Sequence, residues 1–369
     1  MRKLNFKFVA LMFISLFVSC QSDDLIETGG ELSPTSESSK LIKLNSGATV
    51  ELKNGEYFWQ EDIVLSKAQL ELLDKTGSIV DAPVEIDSAN LIPISPMSGY
   101  SFVPESLTRN NGIYPTAYNL WAMVRFVYAP SGYGIDNQLA PETKYIIQQA
   151  LRHWEEKTNV RFYNATGQPT TDPVYGIEYP YIYFCNGEGN SSSVGRVGGM
   201  QRVRLAYLGC NMGIAAHEIG HAIGLNHEQC RYDRDNYINI NWNNIQAGKE
   251  HNFQINNQNY YCIGGFDFGS IMLYSSDDFA EDPSIPVMTK KDGSTFEGQR
   301  SGLSDLDRRF PNTFYLPYTA RSDVYRELDD VVYDQYNNKL TEQERLQLQA
   351  QLNNGNPNPP AGGRIPNEF

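Results

Sequence analysis

His217 and His221 stand four residues apart, with Glu218 directly after the first, Gly224 three residues after the second, and His227 three further on. No other feature constrains the fold as tightly. On a helix this spacing puts both imidazoles on one face, one turn apart, where they can share a metal ion. Glycine can take the left-handed backbone that ends a helix and reverses the chain, which returns His227 as a third ligand. Zinc accepts neutral imidazole nitrogen at about 2.0–2.1 Å, and three protein ligands leave a position for water, the mark of a catalytic rather than a structural site. Glu218, beside the ion rather than on it, is suited to take a proton from that water. A structural zinc site or an inactive relic has no use for such a carboxylate. The chain has only five histidines; the other two, His153 and His251, read as surface or helix-end residues.

The rest of the 369 residues sets the context for this site. Hydrophobic residues make up 40% of the chain, enough for a substantial core. The net charge of −14 argues against nucleic acid as a partner, since phosphate binding needs clustered Lys and Arg. Arg2, Lys3 and Lys7 precede an apolar run from Phe8 to Val18 that is too short for a membrane span, so residues 1–19 read as a signal peptide. The run ends in Phe17-Val18-Ser19-Cys20, which resembles a bacterial lipoprotein cleavage box except for Phe17 in the usual Leu position. That reading implies lipid on Cys20 and a membrane anchor. The chain would then be an exported lipoprotein of the outer membrane or cell surface of a bacterium, or, if the Cys is incidental, a secreted protein. Four cysteines remain, Cys185, Cys210, Cys230 and Cys262; an even number in an exported chain favours two disulfides, with three pairings open.

Residues 20–45 read as a flexible tether, rich in Ser, Thr, Glu and Gly over 21–40. Residues 46–109 show mixed patterning with one short helix, Ser66 to Leu73, capped by Ser66, and suit a pro-segment. Residues 110–315 hold the metal motif. There Leu120–Tyr128 reads as a strand, Pro141–Thr158 as a helix with Trp154 in the core, and Asn159–Tyr163, Tyr179–Phe184 and Gln201–Leu205 as strands. This order gives an α+β fold, a mixed sheet with a helix on it. Residues 316–369 read as a polar extension, partly disordered, whose best helix is Thr341–Gln351 with Thr341 and Glu344 as a capping box.

Several blocks together carry a family resemblance. The metal motif continues through Glu228-Gln229-Cys230-Arg231-Tyr232-Asp233-Arg234-Asp235. Downstream come Phe266 to Tyr274, then Gly298-Gln299-Arg300 and Leu303-Ser304-Asp305-Leu306-Asp307; upstream stands Ser193-Val194-Gly195-Arg196 through Gln201 and Leu205. From about residue 118 to 315 the chain resembles the astacin family of metzincin zinc metalloproteases, in a bacterial, flavastacin-like form. The resemblance implies a two-lobed catalytic domain, with the sheet and active-site helix above the cleft and an irregular lower lobe carrying a Met-turn. It implies that Met272 supports the zinc ligands from below, that Tyr274 is a displaceable ligand that helps stabilise the oxyanion, and that Glu228 anchors the mature N-terminus. Trp59-Gln60-Glu61-Asp62 resembles the family's latency block, making Asp62 the switch that occupies the water position, although Glu61 stands where glycine is expected. Activation would need a protease, with Arg109 before Asn110 a plausible site. The resemblance also favours Cys185–Cys210 and Cys230–Cys262 as the disulfides.

The activity expected is therefore that of a zinc metalloendopeptidase, made as a zymogen, which hydrolyses protein or peptide substrates by water promoted by Glu218. The substrate would pair with the edge strand near Ser191–Gly195. Two other classes compete. One is a surface adhesin that keeps the site unused, against which Glu218 and Tyr274 argue; the other is a zinc hydrolase acting on a non-protein envelope polymer.

Overall fold

The computed structural model describes residues 39–80, 112–113, 119–256, 260–319, 327–353, 355 and 369. The expected signal peptide, Cys20 and the Arg109–Asn110 junction lie outside them. Four short strands open the described chain: β1 (Lys40–Lys43), β2 (Thr49–Lys53), β3 (Glu56–Trp59) and β4 (Ile63–Leu65), joined in sequence order as an antiparallel sheet. β1 lies inside the stretch read as tether, and the sheet itself is an addition to the expected single helix. Asn54 and Gly55 close the β2–β3 hairpin with φ of 51° and 79°, the pair of left-handed residues that matches strand twist in a two-residue turn. α1 (Lys67–Thr76) follows. Ser66 accepts from Gln69 N while the Gln69 side chain accepts from Ser66 N, and Gly77 stops the helix. Val50, Trp59, Ile63, Leu65 and Leu73 pack this unit together with Val194 from much later in the chain.

β5 (Gly112–Ile113) pairs with a distant strand described below. The main sheet then assembles from β6 (Val124–Tyr128), β7 (Phe162–Asn164), β8 (Tyr181–Gly187) and β9 (Met200–Ala206), in the order β7-β6-β8-β9. All three pairings are parallel; the expected mixed character survives only as an antiparallel bridge from Ser191 to Arg204. β6 starts at Val124 rather than Leu120 because Trp121 is used elsewhere: its indole Nε1 donates to Ala222 O at 2.8 Å. Between β6 and β7 runs α2 (Pro141–Lys157), with Pro141 at its first turn. Ile147, Ala150, Leu151 and Trp154 form its buried stripe. Trp154 is fully buried and donates to Ala216 O at 3.1 Å, tying α2 to α3 (Met212–Ile223). Loss of such a buried indole costs about 3–5 kcal/mol, so packing outweighs the roughly 1 kcal/mol of its hydrogen bond.

α3 is seated closely at its start. Asn211 Oδ1 caps it by accepting from Ile214 N at 3.0 Å, and a Cβ on Gly213 would fall 1.6 Å from the carbonyl oxygen of Arg300. Backbone cannot yield as a flexible side chain can. Gly213→Ala is therefore expected to lower unfolding stability by about 3 kcal/mol or more, read as a shift in denaturant midpoint; an unchanged midpoint would mean that the 298–302 segment is not held against the helix.

Beyond α3, β10 (Ile238–Ile240) pairs with β12 (Met288–Lys290), and β11 (Tyr260–Tyr261) is the partner of β5. A second core of Phe253, Phe266, Leu273, Tyr274, Val287 and Met288 fills this largely irregular region. α4 (Asp305–Phe314) and α5 (Glu342–Leu352) both begin with reciprocal capping boxes, Ser304 with Asp307 and Thr341 with Glu344. Leu328, Val332 and Leu348 form a small core, and Arg161 holds it by donating to Asp329 Oδ2 at 2.8 Å and Val331 O at 3.1 Å. Phe369 packs on the main core near Phe126.

Candidate metal centre

α3 carries His217 and His221 on one face, with ring centroids 4.7 Å apart. Gly224, at φ 116°, ends the helix and donates its N–H to Gly220 O and His221 O, so the chain doubles back and brings His227 against His221, again 4.7 Å between rings. His217 Nδ1 donates to Ile271 O at 2.8 Å and His221 Nδ1 donates to Leu225 O at 2.8 Å. A carbonyl can only accept, so both rings carry their proton on Nδ1 and present a bare lone pair at Nε2.

A fourth group meets them from outside the motif. The Asp62 carboxylate lies 3.3 Å from His217 Nε2, 3.5 Å from His221 Nε2 and 3.3 Å from His227 Nε2. Burial opposes its ionisation, but the charges of His227 and His221 and hydrogen bonding outweigh this and hold Asp62 well below the usual carboxylate range. Burial pushes His217 down to about 3 and lowers His227 as well. With the Nδ1 protons of His217 and His221 given to backbone carbonyls, their Nε2 lone pairs face the Asp62 carboxylate, and a cation among them supplies the positive charge that this carboxylate calls for. The spacings match this: a tetrahedron with bonds of about 2.0–2.1 Å has edges of about 3.3–3.4 Å. The donor set of three imidazole nitrogens and a carboxylate oxygen suits zinc, and the four ligand atoms all lie within 4.8 Å of one another.

Glu218 is buried beside this cluster, and its Oε2 makes no hydrogen bond with the described protein. Burial first, then the negative charge of Asp62, raises its carboxyl well above the ordinary value, against a lowering from Arg300. Met272 is buried beneath the helix; a Cβ on Gly220 would lie 3.0 Å from its sulfur. The Tyr274 ring packs 4.7 Å from that of His227, and its hydroxyl donates to Gln60 O at 3.3 Å. Glu228 is buried and accepts from Arg231 at 3.2 Å and Asp267 N at 2.9 Å, while burial pushes it up to about 8. Any contact between Glu228 and an α-amino group would involve residues outside those described.

The segment that delivers Asp62 is bonded into the cleft rim. Ser192 N donates to Asp62 O at 2.9 Å, and Val64 N donates to Ser192 O at 2.8 Å, so β4 runs parallel to the rim. The rim in turn touches the metal helix, where Gly195 N donates to His221 O at 2.8 Å. Gln60 and Glu61 have φ of 51° and 76°. Glu61 thus adopts the backbone that glycine would take freely, at a cost of about 1–2 kcal/mol for a residue with a Cβ.

Asp307 is a site residue that the motif reading left without a role of its own. It accepts from Ser270 Oγ at 2.7 Å and Ile271 N at 2.9 Å, and so fixes the residue whose carbonyl orients His217. The Ser304–Asp307 capping spacing was the available signal. His251, read as a surface or helix-end residue, lies within the short 3-10 turn Glu250–Phe253 and is buried; His153 accepts from Leu303 N at 3.1 Å. The structure does not show the expected disulfides among Cys185, Cys210, Cys230 and Cys262. Cys230 donates to Asn252 O at 3.3 Å, Cys210 donates to Asn211 O at 3.6 Å, and Cys185 belongs to the main core.

Residues 118–316 match the family described as Astacin (Peptidase family M12A). Flavastacin of Elizabethkingia meningoseptica is 44% identical over 180 residues, covering 48% of this chain and 37% of that protein. Zinc metalloproteinase nas-15 of Caenorhabditis elegans is 31% identical over 264 residues, 71% of this chain and 42% of that one. The chain thus spans less than half the length of these curated relatives. Among solved structures, high choriolytic enzyme 1, a hatching-enzyme zinc protease of the medaka Oryzias latipes, aligns with a TM-score of 0.46 and 29% identity over 55% of this chain and 97% of that one.

Proposed function

The chain belongs to the astacin family, peptidase family M12A, with the α+β fold of a metzincin, and from that premise we propose that it is a zinc metalloendopeptidase made in a latent form. The observation that carries this reading is the convergence of three imidazole nitrogens, two of them with tautomers fixed by backbone carbonyls, next to the buried Glu218 carboxylate, whose Oε2 has no hydrogen-bond partner among the described residues. His217, His221 and His227 would hold one zinc ion, and in the latent state Asp62 would join them. When bound, zinc supplies a Lewis acid that polarises the scissile carbonyl and lowers the pKa of bound water to roughly 7. Glu218 takes the proton of the attacking water and passes it to the leaving amine. Tyr274, once Gln60 no longer occupies its hydroxyl, donates to the developing oxyanion. Met272 supports the ligands through its packing under Gly220. Glu228 receives the new N-terminus after processing.

The same reading makes residues 46–109 a pro-segment, removed by an activating protease near Arg109, and assigns latency to Asp62. An extended protein or peptide substrate then takes the place of residues 62–64 along the rim at Ser192. Residues 1–19 direct export, and lipid on Cys20 tethers the protein to a membrane surface.

The test is metal removal. The purified chain is nicked with trypsin, the trypsin is blocked, and digestion of an unfolded protein such as casein is followed. Chelation is expected to lower the rate by more than about a hundredfold, and added zinc to restore it at one ion per chain. Equal digestion with and without chelator would remove the basis of this reading.

A further inference from the structure

We infer that Glu61 is a positioning residue of the latent state, and that Lys249 and Asn252 form the clamp that keeps Asp62 on the metal centre. The inference rests on the peptidase reading above and concerns how its latency is held. Gln60, Glu61 and Asp62 are each pinned by a different part of the protein. Gln60 is fully buried; its Nε2 donates to Asn256 Oδ1 at 2.7 Å, and its carbonyl accepts from Tyr274. Glu61 Oε2 accepts from Lys249 Nζ at 2.6 Å and from Asn252 Nδ2 at 3.1 Å. Lys249 also lies 3.7 Å from Glu51 on β2 and sits over the Phe279 ring at 5.7 Å, so it bridges the pro-segment sheet to the region below the metal.

The backbone explains why a clamp is needed here. Two consecutive non-glycine residues in the left-handed region form a bend that relaxes unless the surroundings over-determine it. Relaxation at Glu61 would rotate the peptide plane that precedes Asp62 and draw its carboxylate from the three imidazoles. Glycine at position 61 would hold the bend without help. A glutamate there adds strain together with a charge-assisted hydrogen bond, shielded on one side by protein, that offsets it. The same departure from glycine thus converts a passive bend into one that depends on a particular cation across the cleft.

The full latent chain is compared with Glu61→Ala and Lys249→Met by two readouts: hydrolysis of a quenched fluorescent peptide before any processing, and amide hydrogen exchange at Asp62 and Ser192. Each single variant is expected to raise the unprocessed rate about ten- to a hundredfold and to speed exchange at those amides by a similar factor. The charge exchange, Glu61→Lys with Lys249→Glu, is expected to recover at least about tenfold of both losses. Single variants with wild-type latency and exchange would overturn the clamp, as would an exchanged pair no better than either single. Processing removes residue 61, so Glu61→Ala yields the wild-type mature sequence. Failure of that mature chain on the peptide would count against the peptidase reading, while the exchange measurement still decides the clamp.

Discussion

Glu218→Ala is expected to retain zinc at one ion per chain and to lose about 10³- to 10⁴-fold in turnover after processing, the upper part of the range for removal of a general base. Two observations separate the carboxylate from the ligand set. The group of atoms placed to hold a metal comprises Asp62, His217, His221 and His227, without Glu218. Glu218 Oε2 also has no protein partner, so truncation breaks no hydrogen bond there, and the unfolding midpoint is expected to stay level or rise as a buried carboxylate is relieved. Metal content, midpoint and kcat measured on one preparation test the assignment. Near-wild-type turnover with metal bound would place the base elsewhere.

Asp62→Ala in the unprocessed chain acts in the opposite direction. It takes away the carboxylate that faces three imidazoles at 3.3–3.5 Å, and opens the fourth position to water. Losing one member of a buried charged set costs about 3–5 kcal/mol, or about 150- to 4,000-fold in an equilibrium constant. The variant is expected to hydrolyse a short peptide without prior nicking, at a rate raised by about that factor over the intact chain. The β1–β4 sheet and its hold on Ser192 remain, so long substrates gain less than short ones. A variant as silent as the parent on short peptides would mean that steric cover by the sheet, rather than the carboxylate, holds the chain latent.

The metal residues were legible because a four-residue spacing on a helix and a glycine at its end leave little conformational freedom. α1, α2 and α5 were legible for a related reason: Ser66, Pro141 and Thr341 are local signals whose effect is felt within one turn, whereas α4 went unread. The β1–β4 sheet was missed although Asn54-Gly55 is a strong hairpin signal. Its strands are three to five residues long and mostly half exposed, so alternation had too few positions to register. Strand direction was also out of reach, because β6, β8 and β9 find their parallel partners across long connections. Asp307 acts on His217 only through Ile271, a relation between residues distant in sequence that no local pattern encodes. Glu61 gave the reverse case. The sequence flagged it as the wrong residue for its bend, and the structure has the bend regardless, with the side chain bound across the cleft.

If processing removes residues 62–64, as proposed, the bridge between Ile63 and Ser192 is opened. Ser192 is then left with an N–H and a C=O facing outward, an open sheet border of the kind that recruits any extended strand. Substrates will bind there through their own backbone, largely regardless of side chains. Unfolded copies of the same chain offer the same backbone, so self-digestion should rise with enzyme concentration while the uncut precursor, its border already filled, stays stable in storage.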